Sequence, residues 1–350
     1  MKLLNNNRMK FIASLCFLLS ISATLFSQQK PHYTQYVLNN YILNPALTGI
    51  ENYVDVKLSH RHQWVGLQDA PVTTYFTIHA PLKKQDYKTN ATTLFSMEGD
   101  NPRGKEYWDE YEPSAPHHGI GAQIINDKIG PFNNFSAFAT YAYHLGINKK
   151  TNLSAGIGLG ISKLTLDPGK LNFGPTTPVD PSVYGYNQLG KSRVDMNAGI
   201  WLYSANYFVG VSANQLIPHE LDFSEQTTTD SKGKLVPHIF ATAGYRFLLG
   251  DDINVIPSIM AKSIGSIPMQ MDVNAKVQYR DFFWVGGSYR AKYGIAGMAG
   301  ININNKLAIS YSYDYSTTQI NTVSRGTHEI LLGFVLGNSF SDDTCPRNVW

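Results

Sequence analysis

Cysteine is nearly missing: Cys16 and Cys345 are the only two in 350 residues. Cys16 falls in a leader-like stretch, so a processed chain would keep one cysteine and no intrachain disulfide. Charge is scarce as well. Asp, Glu, Lys and Arg make up 16% of the chain, against about a quarter in soluble domains. With 12% aromatics, that composition excludes a disordered chain, which needs high net charge and few aromatics. After residue 27 no apolar run approaches the ~18–20 residues of a membrane helix, so a multi-span helical protein is excluded too. Nor is there a basic surplus. Lys+Arg is 29 and Asp+Glu is 26, and Lys2, Arg8 and Lys10 account for the difference. The remaining chain is balanced, which removes the electrostatic case for a nucleic-acid partner.

Chemical motifs are also missing. There is no phosphate-cradling Gly-rich loop, no GxSxG and no HExxH. His60 and His62 share one side of a strand, and His117 and His118 are adjacent. Neither pair has Cys or carboxylate neighbours at metal-ligand spacing. They read as polar groups at strand ends or in loops. The chain is not read as an enzyme, and no catalytic residue, metal or cofactor is expected.

What is present begins with residues 1–27, which read as a secretory signal. Lys2, Arg8 and Lys10 precede an apolar Phe11–Leu25 stretch, and small Ser27 precedes Gln28-Gln29-Lys30. Cleavage near Gln28 is expected. Leu15 stands before Cys16 where a lipoprotein signal needs a small residue, so no lipidation is expected. Residues 28–340 then form one architecture, with a lead-in at 28–52, and 341–350 form a tail.

The body of the chain repeats with period two. Met271, Val273, Ala275, Val277 and Tyr279 point one way; Asp272, Asn274, Lys276, Gln278 and Arg280 point the other. Leu153–Ser162 and Lys306–Tyr315 alternate likewise. About fourteen such segments run from one centred on 53–59 to one on 327–336, mostly near the 9–11 residues of a tilted membrane strand. Several are joined tightly, as at Ala205-Asn206 and Asn304-Asn305. The class is all-β, and the architecture is an antiparallel transmembrane β-barrel of about 14 strands.

Alternation alone does not say whether the apolar face meets lipid or a soluble core; a secreted β-sandwich is the competing form. Three features favour lipid. The other face is rich in Gly, Ser and Asn and carries Asp195, Arg246, Asp272, Lys276, Arg280 and Asp314, charges able to pair across a lumen. Tyr141, Tyr143, Trp201, Tyr203, Tyr279, Trp284 and Tyr289 lie near strand ends, as interfacial girdles do. Charges gather in connections, with 5 basic and 7 acidic residues in 81–112. The long connections are 83–116, 164–192 and 215–237. With strand one starting at the periplasm, the latter two would be extracellular and 83–116 periplasmic, an unusual place for a long loop. A hollow lumen would accept arginine at Asn274 more easily than lipid would at Ala275.

Ordered short motifs follow one another along the chain: Gln35-Tyr36, Asn44-Pro45-Ala46-x-Thr48-Gly49, Arg61-His62-Gln63-Trp64-Val65-Gly66, Ala70-Pro71-x-Thr73, His79, Gly121, Asn126-Asp127-Lys128-Ile129-Gly130-Pro131, Lys170-Leu171, Ala243-Gly244-Tyr245, Ser288-Tyr289-Arg290, Tyr311-Ser312-Tyr313-Asp314-Tyr315 and Gly326-Thr327-His328-Glu329-Ile330. In this order and spacing, over about 30–336, the sequence resembles the PorP/SprF family of the type IX secretion system. The resemblance implies a non-enzymatic outer-membrane barrel, exported to the outer membrane of a Gram-negative cell. It implies partners among the type IX secretion machinery and a large secreted adhesin-like protein, some members serving gliding adhesins, with outer-membrane lipid around the barrel. The acidic, Tyr-rich insert at 98–116 departs from the simplest family pattern.

Two motifs end strands at one end of the barrel. They supply candidate docking or loop-organising residues: Arg61, Gln63, Trp64 and Gly66 from the first, Asn126, Asp127, Lys128, Gly130 and Pro131 from the second. Asp127 can cap the turn, and Gly130 permits a positive φ. Either the two loops form a shared docking surface, or they fold into the mouth with Arg61 and Lys128 paired to Asp69, Asp127 or lumen acids. Asn44-Pro45-Ala46 reads as part of a segment plugging or edging the barrel. His328 and Glu329 read as interior or rim polar groups. The functional alternatives are a partner-anchoring barrel, which predicts a filled lumen, and a general channel or hydrophobic-solute transporter, which predicts an open one.

Overall fold

Inward glycines, alternating polarity and tight hairpins close the chain into a barrel. The structure is a computed structural model that describes residues 33–84, 111, 113–171, 189–221, 233–234, 236–265, 267–280, 282–304 and 306–337. The stretch 1–27 expected as a signal, with Cys16, the tail 341–350 with Cys345 and most of the 98–116 insert lie outside the described residues.

The staves are β1 (Val54–His62), β2 (Val72–Leu82), β3 (His117–Ile129), β4 (Phe132–Asn148), β5 (Thr151–Leu166), β6 (Leu189–Tyr203) and β7 (Tyr207–Asn214). Next comes β8, made of His238–Tyr245 and Phe247–Leu249 on either side of Arg246. The rest are β9 (Ile253–Ile264), β10 (Ile267–Tyr279), β11 (Phe283–Arg290), β12 (Gly294–Asn304), β13 (Leu307–Ser316) and β14 (Thr327–Leu336). Each pairs antiparallel with its chain neighbours. β14 pairs with β1 from Val54↔Leu336 to His62↔His328, which closes the sheet. The fourteen sequence segments therefore correspond to fourteen staves. A two-residue ladder, Glu220–Leu221 with Gly233–Lys234, sits in the connection after β7.

Burial is inverted relative to a soluble protein. In β10, Asp272 is 2% exposed and Val273 50%. Along β5, Ile157, Leu159 and Ile161 are exposed while Ser154 is buried. An apolar outer wall around a polar interior is stable only if hydrocarbon covers the wall, which removes the β-sandwich alternative. Arginine at Ala275, outward in mid-strand, is expected to cost about 2–4 kcal/mol. Ala275→Leu should be tolerated. The fraction of heat-modifiable, assembled protein on gels measures both, and equal assembly of the two would reverse the face assignment.

The girdle expectation needs correction at three aromatics. Tyr141, Tyr143, Tyr279 and Tyr289 are exposed on the outer wall, but Trp201, Tyr203 and Trp284 are buried and point inward. Trp201 lies over Gly210, where a Cβ would stand 2.0 Å from the indole, and Trp284 lies over Gly300 in the same way. Glycine on the adjacent strand makes the space that a lipid-facing ring would not need. The reading of Asn274 also changes. Its Nδ2 donates to the Tyr36 hydroxyl at 2.7 Å, so arginine there meets protein, not lumen water.

Candidate functional site

The lumen is filled by the chain's own lead-in. Residues 35–38, 40–42 and 45–47 form three short 3-10 turns. Longer helix is prevented where Pro45 follows Asn44: the Asn44 Oδ1 accepts from Ala46 N at 2.9 Å and starts a new turn. All of residues 33–50 except Leu38 are buried. Irregular backbone cannot satisfy itself, so inward side chains of the wall do it. Gln123 Nε2 donates to Tyr41 O at 2.6 Å, Ser212 Oγ to Leu43 O at 2.7 Å and Ser154 Oγ to Ala46 O at 2.8 Å. Close approach is allowed by glycine. A Cβ at Gly119 would lie 1.9 Å from Thr48 O, at Gly156 2.4 Å from Pro45 O and at Gly199 2.0 Å from Asn44 Oδ1. The Gly, Ser and Asn of the inner face are thus the complement of this plug. Burial pushes the Tyr36 and Tyr41 hydroxyls up, so they stay protonated inside it.

Each end of the plug is gripped. Near the 63–71 loop, Thr34 N donates to Glu329 Oε2 at 2.8 Å and Thr34 Oγ1 to Asp314 Oδ2 at 2.6 Å. Arg61 forks between the same two acids, at 2.9 Å to Glu329 and 2.6 Å to Asp314. Arg290 extends the alternation, 3.6 Å from Asp314 and 3.1 Å from Asp272. Five charges from β14, β1, β13, β11 and β10 alternate in sign, which is what allows them to be buried together. At the opposite end three histidines hold the Thr48-Gly49 turn. His144 Nε2 lies 2.8 Å from Thr48 O, His117 Nε2 3.2 Å from Gly49 O, and Gly49 N donates to His79 Nδ1 at 3.2 Å. The His117 and His144 rings stack at 4.5 Å.

The sequence candidates divide among three places. Gln63, Trp64, Gly66, Gly130 and Pro131 lie in loops at one barrel end. Gln63 N donates to Pro71 O at 2.9 Å, and Trp64 takes a left-handed φ of 50° with its N bonded to Thr327 Oγ1. Val65 exchanges backbone bonds with the 317–326 loop, at 2.9 Å to Gly326 O and 2.8 Å from Arg325 N. The two motif loops meet where Gly130 N donates to Asp69 O at 3.1 Å. Lys170 Nζ donates to Asp69 Oδ1 at 2.8 Å, and that partnership raises the Lys170 pKa. Arg61 and Asp127 instead face the lumen. Asp127 does not cap the turn, because β3 continues to Ile129; its Oδ1 accepts from Thr73 Oγ1 at 2.5 Å. Lys128 is exposed on the outer wall, and Asn126 shares its side of β3. Arg61 pairs with lumen acids as one of the two expected arrangements had it, but Lys128 does not share in that pairing, because it lies on the outer wall.

Sequence reasoning missed the grip on the plug. Thr34 meets Asp314 across 280 residues of chain, and no spacing rule reports that or the link from Asp314 on to Arg290. Of the pair expected as interior or rim polar groups, Glu329 is interior at 0% exposed, whereas His328 turns outward to the Tyr311 hydroxyl at 2.6 Å. His117 and His118 point to opposite sides of the wall, so they cannot share one metal. Among the described residues no group of three or more His, Cys, Asp or Glu is placed to hold a metal ion.

A closed fourteen-strand antiparallel barrel, apolar outside and filled by its own N-terminal segment, is a transmembrane β-barrel of the outer-membrane type. Residues 25–334 match the family described as type IX secretion system membrane protein PorP/SprF, and the chain belongs to that family. Among solved structures, the outer membrane protein Omp33 of Acinetobacter baumannii has 8% identity and a TM-score of 0.45, covering 83% of this chain and 100% of that chain. The Ralstonia pickettii toluene transporter TbuX has 8% identity and a TM-score of 0.47, covering 84% and 92%. A search of curated proteins found no match.

Proposed function

We propose that this barrel is a closed outer-membrane anchor that supports secretion or surface attachment of a large adhesin-like protein by the type IX secretion machinery. The observation that carries the reading is the filled lumen: the buried 33–50 segment occupies the space a solute channel needs. With its interior occupied, the barrel has its loops and rims left for partners. The purified barrel is expected to be electrically silent in planar bilayers. A deletion strain should lose surface display of one large secreted protein and keep small-solute uptake. Lost uptake of a nutrient with normal display of every secreted adhesin would support the transporter alternative.

The reading places the 63–71, 130–131 and 317–326 loops outside the cell. It is supported by the short connections 149–150, 204–206 and 250–252 at the other end, since periplasmic turns are mostly short; the long 83–116 connection is the exception at that end. In a Cys345→Ser background, Gln68→Cys is expected to react with an impermeant maleimide on intact cells, and Lys149→Cys only after permeabilisation. The opposite pattern would invert the topology.

A further inference from the structure

The outer wall is not uniform around its loop end. On β10 to β13 the outward residues there are Met269, Met271, Tyr289, Ile295 and Tyr315, all exposed and apolar or aromatic. Near the same loop end, β14 and β1 to β5 carry two register rows in which basic and polar side chains stand among Val72, Phe135 and Ile330. His328, His62, Val72 and Lys128 are successive cross-strand partners. One step toward mid-wall, His60, Thr74, Asn126, Phe135 and Lys163 form a second row. His60, His62, Lys128 and Lys163 are exposed. Neither row contains an acid, and neither Lys128 nor Lys163 has an acidic partner among the described residues. Ile330 sits in the second row beside His60, and one step further toward mid-wall the surface is apolar, with Leu58, Ile124 and Ile161 exposed.

Unpaired lysines on a lipid-facing wall are costly near hydrocarbon and tolerable at the interface, where a headgroup can meet them. Strands lie about 4.8 Å apart and same-face rows about 6.8 Å apart, so His328 to Lys128 spans roughly 14 Å. The arrangement offers two ammonium groups and imidazole N–H donors over a strip about two rows deep. His60 Nδ1 is taken by Thr74 Oγ1 at 2.9 Å, which leaves Nε2 as the other ring nitrogen of this exposed side chain. We propose that this strip is a binding site for the phosphate groups of an anionic lipid of the outer leaflet, held against β14 and β1 to β5 with its acyl chains on the apolar wall below. The proposal rests on the loop-side-out orientation, not on the identity of the secreted partner. Charge complementarity selects the ligand: the strip has positive groups and hydrogen-bond donors, no carboxylate to repel phosphate, and apolar surface directly beneath.

The test uses the full-length barrel in detergent micelles, which have no sides, so failure would not be confused with an inverted topology. Binding of a bisphosphorylated glucosamine-disaccharide lipid is measured by native mass spectrometry beside its dephosphorylated form. The phosphorylated lipid should bind at least tenfold more tightly. Lys128→Gln combined with Lys163→Gln should erase that preference, while heat-modifiable mobility on gels shows that the variant remains folded. A Met269→Gln and Tyr289→Gln pair on the other half of the wall should leave it unchanged. Millimolar inorganic phosphate should not compete, because the acyl chains contribute. Full competition by phosphate would replace the lipid with a free anion, and equal binding of both lipids or an unaffected double-Gln variant would overturn the site.

Discussion

Arg61→Ala is expected to lower the stability of the folded barrel by about 3–5 kcal/mol, the usual effect of removing one partner from a buried ion pair. Arg61 is 2% exposed and Glu329 0%. Without the guanidinium, Glu329 and Asp314 face each other across the plug with Arg290 as the remaining neighbouring cation. Arg290 reaches Asp314 at 3.6 Å but has no bond to Glu329. Thr34 would also lose the Arg61 Nη1 donor at 2.6 Å. Arg61→Lys should recover only part of the loss, because one ammonium cannot fork to two acids as the planar guanidinium does. Urea unfolding followed by tryptophan fluorescence measures each variant. A change below about 1 kcal/mol for Arg61→Ala would mean that this network does not hold the plug.

Gly119→Val should open the barrel. The added Cβ would stand 1.9 Å from Thr48 O and 2.8 Å from Gly49 Cα, both backbone atoms that cannot swing aside as a flexible side chain could. The Thr48-Gly49 turn must move, and its bonds to His144 and His117 move with it. Overpacking costs about 1–3 kcal/mol, and each lost hydrogen bond adds about 1 kcal/mol. Gly297 is the control: it faces outward and a Cβ there meets nothing within 4 Å, so Gly297→Val should be close to neutral. In planar bilayers Gly119→Val is expected to conduct where the parent and Gly297→Val are silent. Silence of all three, with unchanged unfolding midpoints, would show that the turn is not seated against Gly119.

The sequence by itself determined the wall. Period-two alternation is a local property, and each stave such as Met271–Arg280 declares its two faces without reference to its neighbours. The tight connections expected at Ala205-Asn206 and Asn304-Asn305 implied that neighbours in the chain are neighbours in the sheet, as β6 with β7 and β12 with β13 are. The ordered motifs determined the family. Alternation alone is symmetric, but the Gly-, Ser- and charge-bearing polar face already pointed the apolar face to lipid, and the burial pattern agrees. Closure and the seating of the lead-in then decided that Trp201 and Trp284 point inward over glycines. They also decided that Arg61 is a lumen anchor and not a loop residue, and that residues 33–50 fill the barrel. Those outcomes depend on contacts such as Thr34 with Asp314 and Asn44 with Ile200. Such pairs are 280 and 156 residues apart in the chain, and only a closed sheet brings them together.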